Sequence, residues 1–212
     1  MTRFFDTHAH YDSGKFNADR DEVLRAVHDS GVALVVDPGD SGVTSERAVA
    51  LAQAHDFVYA AVGWHPEEAD SWTDSSLAYI RALAAQPKVC AIGEIGLDYY
   101  WDASTKAKQE RMFRAQLELA LELDLPVIVH DREAHGDSLR IVCDYPQLRG
   151  VFHCYSGSVE MAREVLRRGW YLGFDGPITY KNAAKAPEVI AACPVERILL
   201  ETDSPYLAPE SR

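Results

Sequence analysis

Short apolar runs alternate with amphipathic stretches along most of the chain. The apolar runs predict strands at 3–8, 32–37, 57–63, 89–94, 126–130, 150–154, 170–174 and 198–202. Between them, apolar residues recur at three- and four-residue spacing, which predicts helices over 18–30, 44–55, 75–85 and 104–124. A further helix is expected to begin at Ser158 and to end at Gly169.

Strands that alternate with helices predict an α/β protein with a parallel sheet. Eight such strands can close into a (β/α)8 TIM barrel, a fold that begins at about this chain length. An open doubly wound sheet is the alternative, but no G-x-G-x-x-G motif follows the first strand. Residues 1–212 are expected to form one barrel domain, because no linker or low-complexity segment divides them.

Six side chains that commonly bind metals lie at the ends of five of these strands. They are His8, His10, Glu94, His130, His153 and Asp203. The carboxyl ends of barrel strands meet at one face, where such barrels build their active sites, so the six are expected to converge. Taken singly, each could be a hydrogen-bonded core histidine, a turn residue or a helix cap. Taken together, they predict a divalent-metal site and a metal-dependent hydrolase.

The alternation of side chains within the strands supports this convergence. Side chains alternate faces with a period of two, so His8 and His10 share one face and can bind one cation together. Each later ligand candidate follows an aliphatic residue of the same face, as Ile128 precedes His130. The pattern predicts a barrel interior filled by aliphatic side chains below a rim of imidazoles and carboxylates.

Composition narrows the possible partners. A net charge of −12 argues against a broad basic surface along a nucleic-acid backbone, but it permits a small site where cations hold a phosphate. No apolar stretch approaches the roughly 20 residues of a membrane span, and no signal-peptide pattern is visible. Four cysteines without a C-x-x-C pair indicate reduced thiols and a cytoplasmic protein. Neither a membrane nor an obligate protein partner is expected.

Six short motifs carry a family resemblance. They are Asp6-Thr-His-Ala-His10, Gly63-Trp-His-Pro66, Gly93-Glu-Ile-Gly-Leu-Asp98, His130-Asp-Arg-Glu-Ala134, Phe152-His-Cys-Tyr-Ser-Gly157 and Glu201-Thr-Asp-Ser-Pro-Tyr-Leu207. In order and spacing the chain resembles the TatD family of metal-dependent deoxyribonucleases, within the amidohydrolase superfamily. The resemblance implies a TIM barrel, a centre of two divalent cations (Mg, Mn or Zn) and phosphodiesterase activity on DNA ends.

The resemblance also implies roles for the six ligand candidates. His8, His10, Glu94 and Asp203 would hold one cation, and Glu94, His130 and His153 would hold the second, with Glu94 bridging. Asp203 is also a candidate general base for a metal-activated water, so Glu94 and Asp203 are the expected catalytic residues.

Further residues are candidates for substrate contact. Arg132 and Lys181 could bind phosphate oxygens or could be ordinary surface charges. His65 ends a strand and is expected to face substrate or a further ion. Tyr99, Tyr100 and Trp101 follow the fourth strand and could stack on a base or form a hydrophobic lid. Carboxylates that could orient metal-bound histidines are Asp6, Asp98 and Glu201.

Two expectations remain open at this stage. Members of the family usually continue past the proline-tyrosine-leucine stretch with a loop and a final helix. The chain ends at Arg212, so the final helix of the barrel is expected to be missing.

The leading function is a 3′-5′ exonuclease that acts on single-stranded DNA ends through a two-metal-activated water. The alternatives are an ester or amide hydrolase, such as a D-aminoacyl-tRNA deacylase, and a metal-binding protein without turnover.

Overall fold

A computed structural model describes residues 3–210. Eight strands alternate with seven α-helices over these residues. The strands are β1 Phe4–Asp6, β2 Val32–Pro38, β3 Val58–Val62, β4 Val89–Asp98, β5 Val127–Arg132, β6 Gly150–Phe152, β7 Tyr171–Phe174 and β8 Ile198–Leu200. The helices are α1 Arg20–Asp29, α2 Gly42–Ala54, α3 Ser76–Ala84, α4 Lys106–Leu123, α5 His135–Cys143, α6 Val159–Arg167 and α7 Ala186–Ala192. The start of α6 is capped by Ser158, as the sequence predicts.

The strands form one parallel sheet in the order β1 to β8. The two edge strands approach each other, and the Thr7 N–H donates to the Leu200 carbonyl at 3.0 Å. A second bond of 2.9 Å joins the Asp203 N–H to the His8 carbonyl. These bonds bring the ends of the chain's first and last strands together, so the (β/α)8 barrel prediction is confirmed.

Two apolar layers stabilise the barrel. The larger layer lies between the strands and the surrounding helices and includes Leu24, Ile80, Phe113 and Ile141, all fully buried. A smaller cluster fills the inside of the barrel with aliphatic side chains, namely Val36, Ala61, Ala91, Ile128 and Val151. This interior cluster is the aliphatic floor that the alternation within the strands predicts, below the polar end of the barrel.

The strand boundaries differ from the sequence prediction by up to four residues, and the differences at β1 and β4 change the placement of ligand candidates. Strand β1 ends at Asp6, so His8 and His10 lie in the loop that follows it rather than within a strand reaching residue 8. Strand β4 continues to Asp98, four residues beyond Glu94. Its pairing with β5 shifts register between Ile92 and Ile95, and pairing then resumes beyond the shift. Glu94 therefore lies at an irregularity within β4 rather than at the end of that strand.

After β8, the described residues contain turns and irregular backbone through residue 210, without a further helix. The four cysteines are free. Among the helices of residues 3–210, none has both the length and the apolar character that a bilayer span requires.

Candidate metal centre

Glu94 is the centre of a buried cluster at the carboxyl ends of the strands. Its side chain is almost fully buried, and its two oxygens face different groups of imidazoles. The Oε2 set consists of His8, His10 and Asp203. The Oε1 set consists of His65, His130 and His153. The structure thus brings together all six sequence-predicted ligand candidates, and it adds His65 to them.

In the Oε2 set, each of the two imidazole nitrogens lies close to a Glu94 oxygen and to an Asp203 oxygen. His8 Nε2 is 3.2 Å from His10 Nε2, 3.2 Å from Glu94 Oε2 and 3.6 Å from Asp203 Oδ1. His10 Nε2 is 3.7 Å from Glu94 Oε2 and 3.4 Å from Asp203 Oδ1. Ligand atoms bound tetrahedrally at about 2.0–2.2 Å lie about 3.3–3.6 Å apart. His8, His10 and Glu94 therefore fit a divalent cation in donor type and spacing, and Asp203 lies beside both histidines.

In the Oε1 set, three imidazole nitrogens surround the second oxygen of Glu94. His130 Nδ1 lies 2.9 Å from Glu94 Oε1, His153 Nε2 lies 3.3 Å away and His65 Nε2 lies 3.6 Å away. Donor atoms of His65, Glu94 and His130 are close enough to one another to hold an ion, as are those of His8, His10 and Glu94. One carboxylate thus joins two groups of metal-type donors.

The histidines differ in the group that lies next to the ring nitrogen turned away from the cavity. A neutral imidazole that donates from one nitrogen presents a lone pair at the other, which is the form that binds a metal. Two rings have a hydrogen-bond acceptor at the nitrogen turned away from the cavity: the Pro38 carbonyl lies 3.1 Å from His10 Nδ1, and Asp98 Oδ2 lies 2.9 Å from His130 Nε2. Glu201 Oε2 lies 3.4 Å from His153 Nδ1 without completing a hydrogen bond to it. Asp98 and Glu201 thus face histidine rings as predicted.

His65 has the opposite arrangement. Its Nδ1 accepts the backbone N–H of Glu67 at 3.1 Å, so a neutral His65 carries its proton on Nε2. That N–H points toward Glu94 and the cavity. Asp6 also differs from its prediction, because it accepts from the backbone of His8 and from Thr202 rather than from a histidine ring.

Burial and charge together set the protonation of the centre. Burial opposes ionisation of Glu94, but the neighbouring His153 and His8 outweigh it and hold its pKa well below the ordinary value. Burial likewise lowers the pKa of His130, yet hydrogen bonds to Asp98 and Glu94 raise it to about 9. Without a cation, the buried carboxylates are thus balanced by protons on imidazoles. This demand for positive charge also fits a metal centre.

His10 and His153 follow the same pattern. Burial lowers the pKa of His10, but the Asp203 hydrogen bond and the Glu94 charge raise it to about 9. For His153, burial is outweighed by Glu94 and Glu201, which raise its pKa to about 10. The pKa of Asp203 is lowered, because its contacts with His10 and His153 outweigh its burial.

A cavity of about 750 Å³ opens onto the cluster. Its lining includes His10, Glu94, His130, His153 and Asp203, and also His65 and Arg132. His8 is fully buried behind them. Lys181 is exposed and is not among the residues that line this cavity. A volume of this size is typical of a small-ligand pocket and is large enough for a nucleotide.

Three residues at or near the cavity are not among the site residues that the sequence predicts. Arg47 lies on the exposed face of α2 and lines the cavity, yet a basic residue on a helix surface carries no distinguishing signal. Asp12 also lines the cavity, and its N–H donates to Asp37 Oδ2 at 3.0 Å. Asp37 is fully buried near the end of β2, so it carried the strand-end signal that identified the other ligand candidates.

Gly173 leaves space for Glu201, the carboxylate that faces the His153 ring. A Cβ atom at Gly173 of β7 would overlap the carboxylate of Glu201. Glu201 in turn accepts the Cys154 N–H at 2.9 Å and faces the His153 ring. Glycine at position 173 therefore leaves space for the Glu201 carboxylate beside the His153 ring.

Comparisons with known proteins agree with this architecture. The family model described as TatD related DNase matches residues 5–212. An uncharacterized metal-dependent hydrolase, YabD of Bacillus subtilis, is 44% identical over 97% of this chain and 81% of its own length. The 3'-5' ssDNA/RNA exonuclease TatD of Cronobacter sakazakii is 40% identical over 97% of this chain and 79% of its own.

A solved structure gives the same result. The crystal structure of YjjV, a TatD homologue from Escherichia coli K12, superposes with a TM-score of 0.92 and 35% identity, covering 99% of this chain and 82% of that chain. The family resemblance of the sequence motifs is therefore confirmed. The chain is an enzyme of the TatD-related DNase family, whose members are metal-dependent hydrolases.

Proposed function

We propose that this enzyme hydrolyses phosphodiester bonds at the 3′ ends of single-stranded nucleic acid, with two divalent cations bound on the two sides of Glu94. The observation that carries the proposal is the division of donors between the Glu94 oxygens, with His8 on one side and His130 on the other. A bridging carboxylate of this kind suits paired cations about 3.5–4 Å apart, which are common in phosphodiester hydrolysis.

The acceptors beside His10 Nδ1 and His130 Nε2 leave the other nitrogen of each ring available to a cation. His8, His10, Glu94 and Asp203 would hold the first cation, and Glu94, His130 and His153 would hold the second. Such cations lower the pKa of a bound water and neutralise charge on phosphate oxygens. Mg²⁺ and Mn²⁺ suit the oxygen donors, whereas Zn²⁺ suits a site this rich in imidazole.

Asp203 is the proposed general base. It is buried at the cavity wall, and its lowered pKa keeps it ionised at neutral pH. An ionised carboxylate beside the attacking water can accept its proton. Its backbone has a φ of 54°, a left-handed conformation that aspartate and asparagine tolerate better than most residues. The conformation directs the carboxylate to His8 and His10.

His65 and Arg132 are the proposed phosphate ligands. The Nε2–H of His65 faces the cavity, and a donor suits a non-bridging phosphate oxygen better than it suits a cation. Arg132 lines the same cavity and can offer two parallel N–H groups. Lys181 stays a prediction from the sequence, and its position outside the cavity lining would restrict it to a more distant part of the substrate.

The two nucleic-acid types and the 3′ polarity are proposed from the curated relative named as a 3'-5' ssDNA/RNA exonuclease. With a net charge of −12, the chain offers little general attraction for a long polyanion. Binding of a chain end in a metal-lined cavity requires only a few local positive charges, so the composition agrees with action at ends.

A nuclease assay tests the proposal. Protein stripped of metal and resupplied with Mg²⁺ or Mn²⁺ is given single-stranded oligonucleotides with free or blocked 3′ ends, and separately a D-aminoacyl-tRNA. We expect stepwise release of mononucleotides from the free end alone, loss of activity with chelator, and loss in His153→Ala. The matched control is His28→Ala, which removes an exposed histidine of α1. Cleavage of the tRNA ester with intact oligonucleotides would contradict the proposal.

A further inference from the structure

Two large aromatic side chains stand exposed in the turn after β4. Tyr100 is 55% exposed and Trp101 is 64% exposed, and Trp101 lines the cavity that contains Glu94. Their neighbour Tyr99 is different, because its hydroxyl donates to Asp137 Oδ2 at 3.0 Å and Lys106 covers its ring at 4.0 Å. Tyr99 thus anchors the turn, whereas more than half of the surface of each following side chain is exposed to solvent.

Arg132 is held against these two rings. Its guanidinium carbon lies 3.9 Å from the centre of the Tyr100 ring and 5.3 Å from that of Trp101. Among residues 3–210, Arg132 has no carboxylate within ion-pair distance, although the chain carries 33 acidic residues. Stacking on aromatic faces fixes the guanidinium plane and leaves its N–H edge available.

One carboxylate links this aromatic turn to the metal centre. Asp98 Oδ1 accepts the backbone N–H groups of Tyr100 and Trp101 at 2.9 and 3.4 Å. The other oxygen of Asp98 lies 2.9 Å from His130 Nε2. The position of the aromatic turn is therefore set by the same residue that orients a predicted metal ligand.

We infer that Trp101, Tyr100 and Arg132 form a subsite for the unpaired base and the phosphate of the nucleotide next to the scissile bond. The inference rests on the proposed function. The subsite would explain why the enzyme prefers single-stranded to duplex substrates. A base must leave its own stack to lie on the exposed face of Trp101, which a base inside a duplex does not do without an energetic penalty. Because every base has a π face, the subsite discriminates strandedness rather than base identity.

The inference predicts that kcat/KM falls when either the base of the substrate or the ring of Trp101 is removed. Single-stranded oligonucleotides carry either a normal base or an abasic tetrahydrofuran at the nucleotide before the 3′ terminus. For the wild-type enzyme, we expect kcat/KM to fall about 5- to 150-fold on the abasic substrate, mainly through KM, which corresponds to the usual 1–3 kcal/mol of one stacked base. Trp101→Ala should show a similar loss on the normal substrate, and Trp101→Phe should restore most of it.

Removing both the base and the Trp101 ring should lower kcat/KM no more than removing either one alone. Trp101→Ala should therefore cleave normal and abasic oligonucleotides at nearly equal rates, and its preference for single strands over blunt duplexes should fall. The matched control is Tyr79→Ala, which removes an exposed ring from α3 and should behave as wild type. Melting curves identify any variant that fails to fold, and the comparison of substrates on wild-type enzyme needs no variant.

The outcomes separate this inference from the proposed function. If wild-type enzyme cleaves normal and abasic oligonucleotides equally well, the subsite is overturned while the nuclease proposal stands. If wild-type enzyme hydrolyses only the D-aminoacyl-tRNA ester, the nuclease proposal fails and the subsite fails with it. A loss in Trp101→Ala that is equally large on normal and abasic substrates would also overturn the subsite, because the ring would then act without the base.

Discussion

The two sides of Glu94 differ in how their histidines are supported. Around Oε2, the Nε2 atoms of His8 and His10 lie 3.2 to 3.7 Å from the Glu94 and Asp203 oxygens, and the Pro38 carbonyl lies 3.1 Å from His10 Nδ1. Around Oε1, His130 has a carboxylate behind it, but His65 has a backbone N–H. Imidazoles at similar distances from one carboxylate can therefore have opposite roles, as lone-pair donors to a cation or as N–H donors to substrate.

The largest effect is expected when the shared carboxylate itself is changed. Glu94→Gln removes the charge that both sides share, so both cations should be lost and activity should fall to that of chelated enzyme. Metal content measured by elemental analysis beside the nuclease assay checks this result, with Glu22→Gln on the exposed face of α1 as control. Retention of two tightly bound ions in Glu94→Gln would show that the two sides are independent.

The next largest effect should come from the Oε2 side. Asp203→Asn keeps the size of the side chain and tolerates the left-handed backbone, but it cannot accept the proton of the attacking water. At saturating Mn²⁺, which compensates for a weaker cation ligand, we expect kcat to fall roughly 10²- to 10⁴-fold, the usual contribution of general base catalysis, with KM little changed. Asp74→Asn, an exposed position before α3, is the matched control. A variant with nearly normal kcat would exclude Asp203 as the base.

A smaller effect is expected from the unusual histidine of the Oε1 side. His65→Ala removes an N–H donor to a charged group, which contributes about 1.5–3 kcal/mol, so kcat/KM should fall about 10- to 150-fold. Metal content should stay at the wild-type value. His65→Gln, whose side-chain amide can also donate, should recover part of the loss. If His65→Ala instead loses an equivalent of metal, His65 is a ligand.

The smallest effect concerns stability without metal. The pKa values of His10 and His130 are raised from 6.5 to about 9, and that of His153 to about 10, because carboxylates outweigh the burial of these rings. Their protons bind the folded chain more tightly, so this stabilisation is complete below about pH 6.5 and is lost as pH rises through 9 to 10. The melting temperature of metal-free protein should fall over that range by about 2–4 °C per kcal/mol lost.

Added Mn²⁺ should reverse this trend. The cation replaces protons on the imidazoles, so the stabilisation that it provides should grow as pH rises from 6.5 toward 9. Titration calorimetry in buffers of different ionisation enthalpy counts the protons released. Metal-free protein whose melting temperature rises over this pH range would contradict the assigned protonation of the three histidines.

Much of the barrel is visible in the sequence because its interior and its helices are regularly patterned. The apolar runs located every strand, and the strand-end rule brought His8 and Asp203 together although 195 positions separate them. Glu94 was expected at a strand end and lies at a register shift instead, since β4 resumes pairing with β5 beyond it. Such an irregularity depends on both strands, and the pattern of one strand does not reveal it.

The finer chemistry of the site depends on contacts that no spacing encodes. The proton on His65 is fixed by the Glu67 N–H, and Arg132 is oriented by two rings more than 30 positions earlier in the chain. Arg47 reaches the cavity from an ordinary helix surface. Asp37 is the exception, because the apolar run of β2 places it near a strand end, as it does the ligand candidates of the other strands.

Anomalous diffraction from crystals of the Mn²⁺-loaded enzyme tests the central claim most directly. We expect two anomalous peaks, one beside each oxygen of Glu94, with His10 and Asp203 bound to the first ion and His130 and His153 bound to the second. Nε2 of His65 should lie beyond coordination distance from both. A single peak, or a peak about 2.2 Å from His65 Nε2, would contradict the division of the site around Glu94.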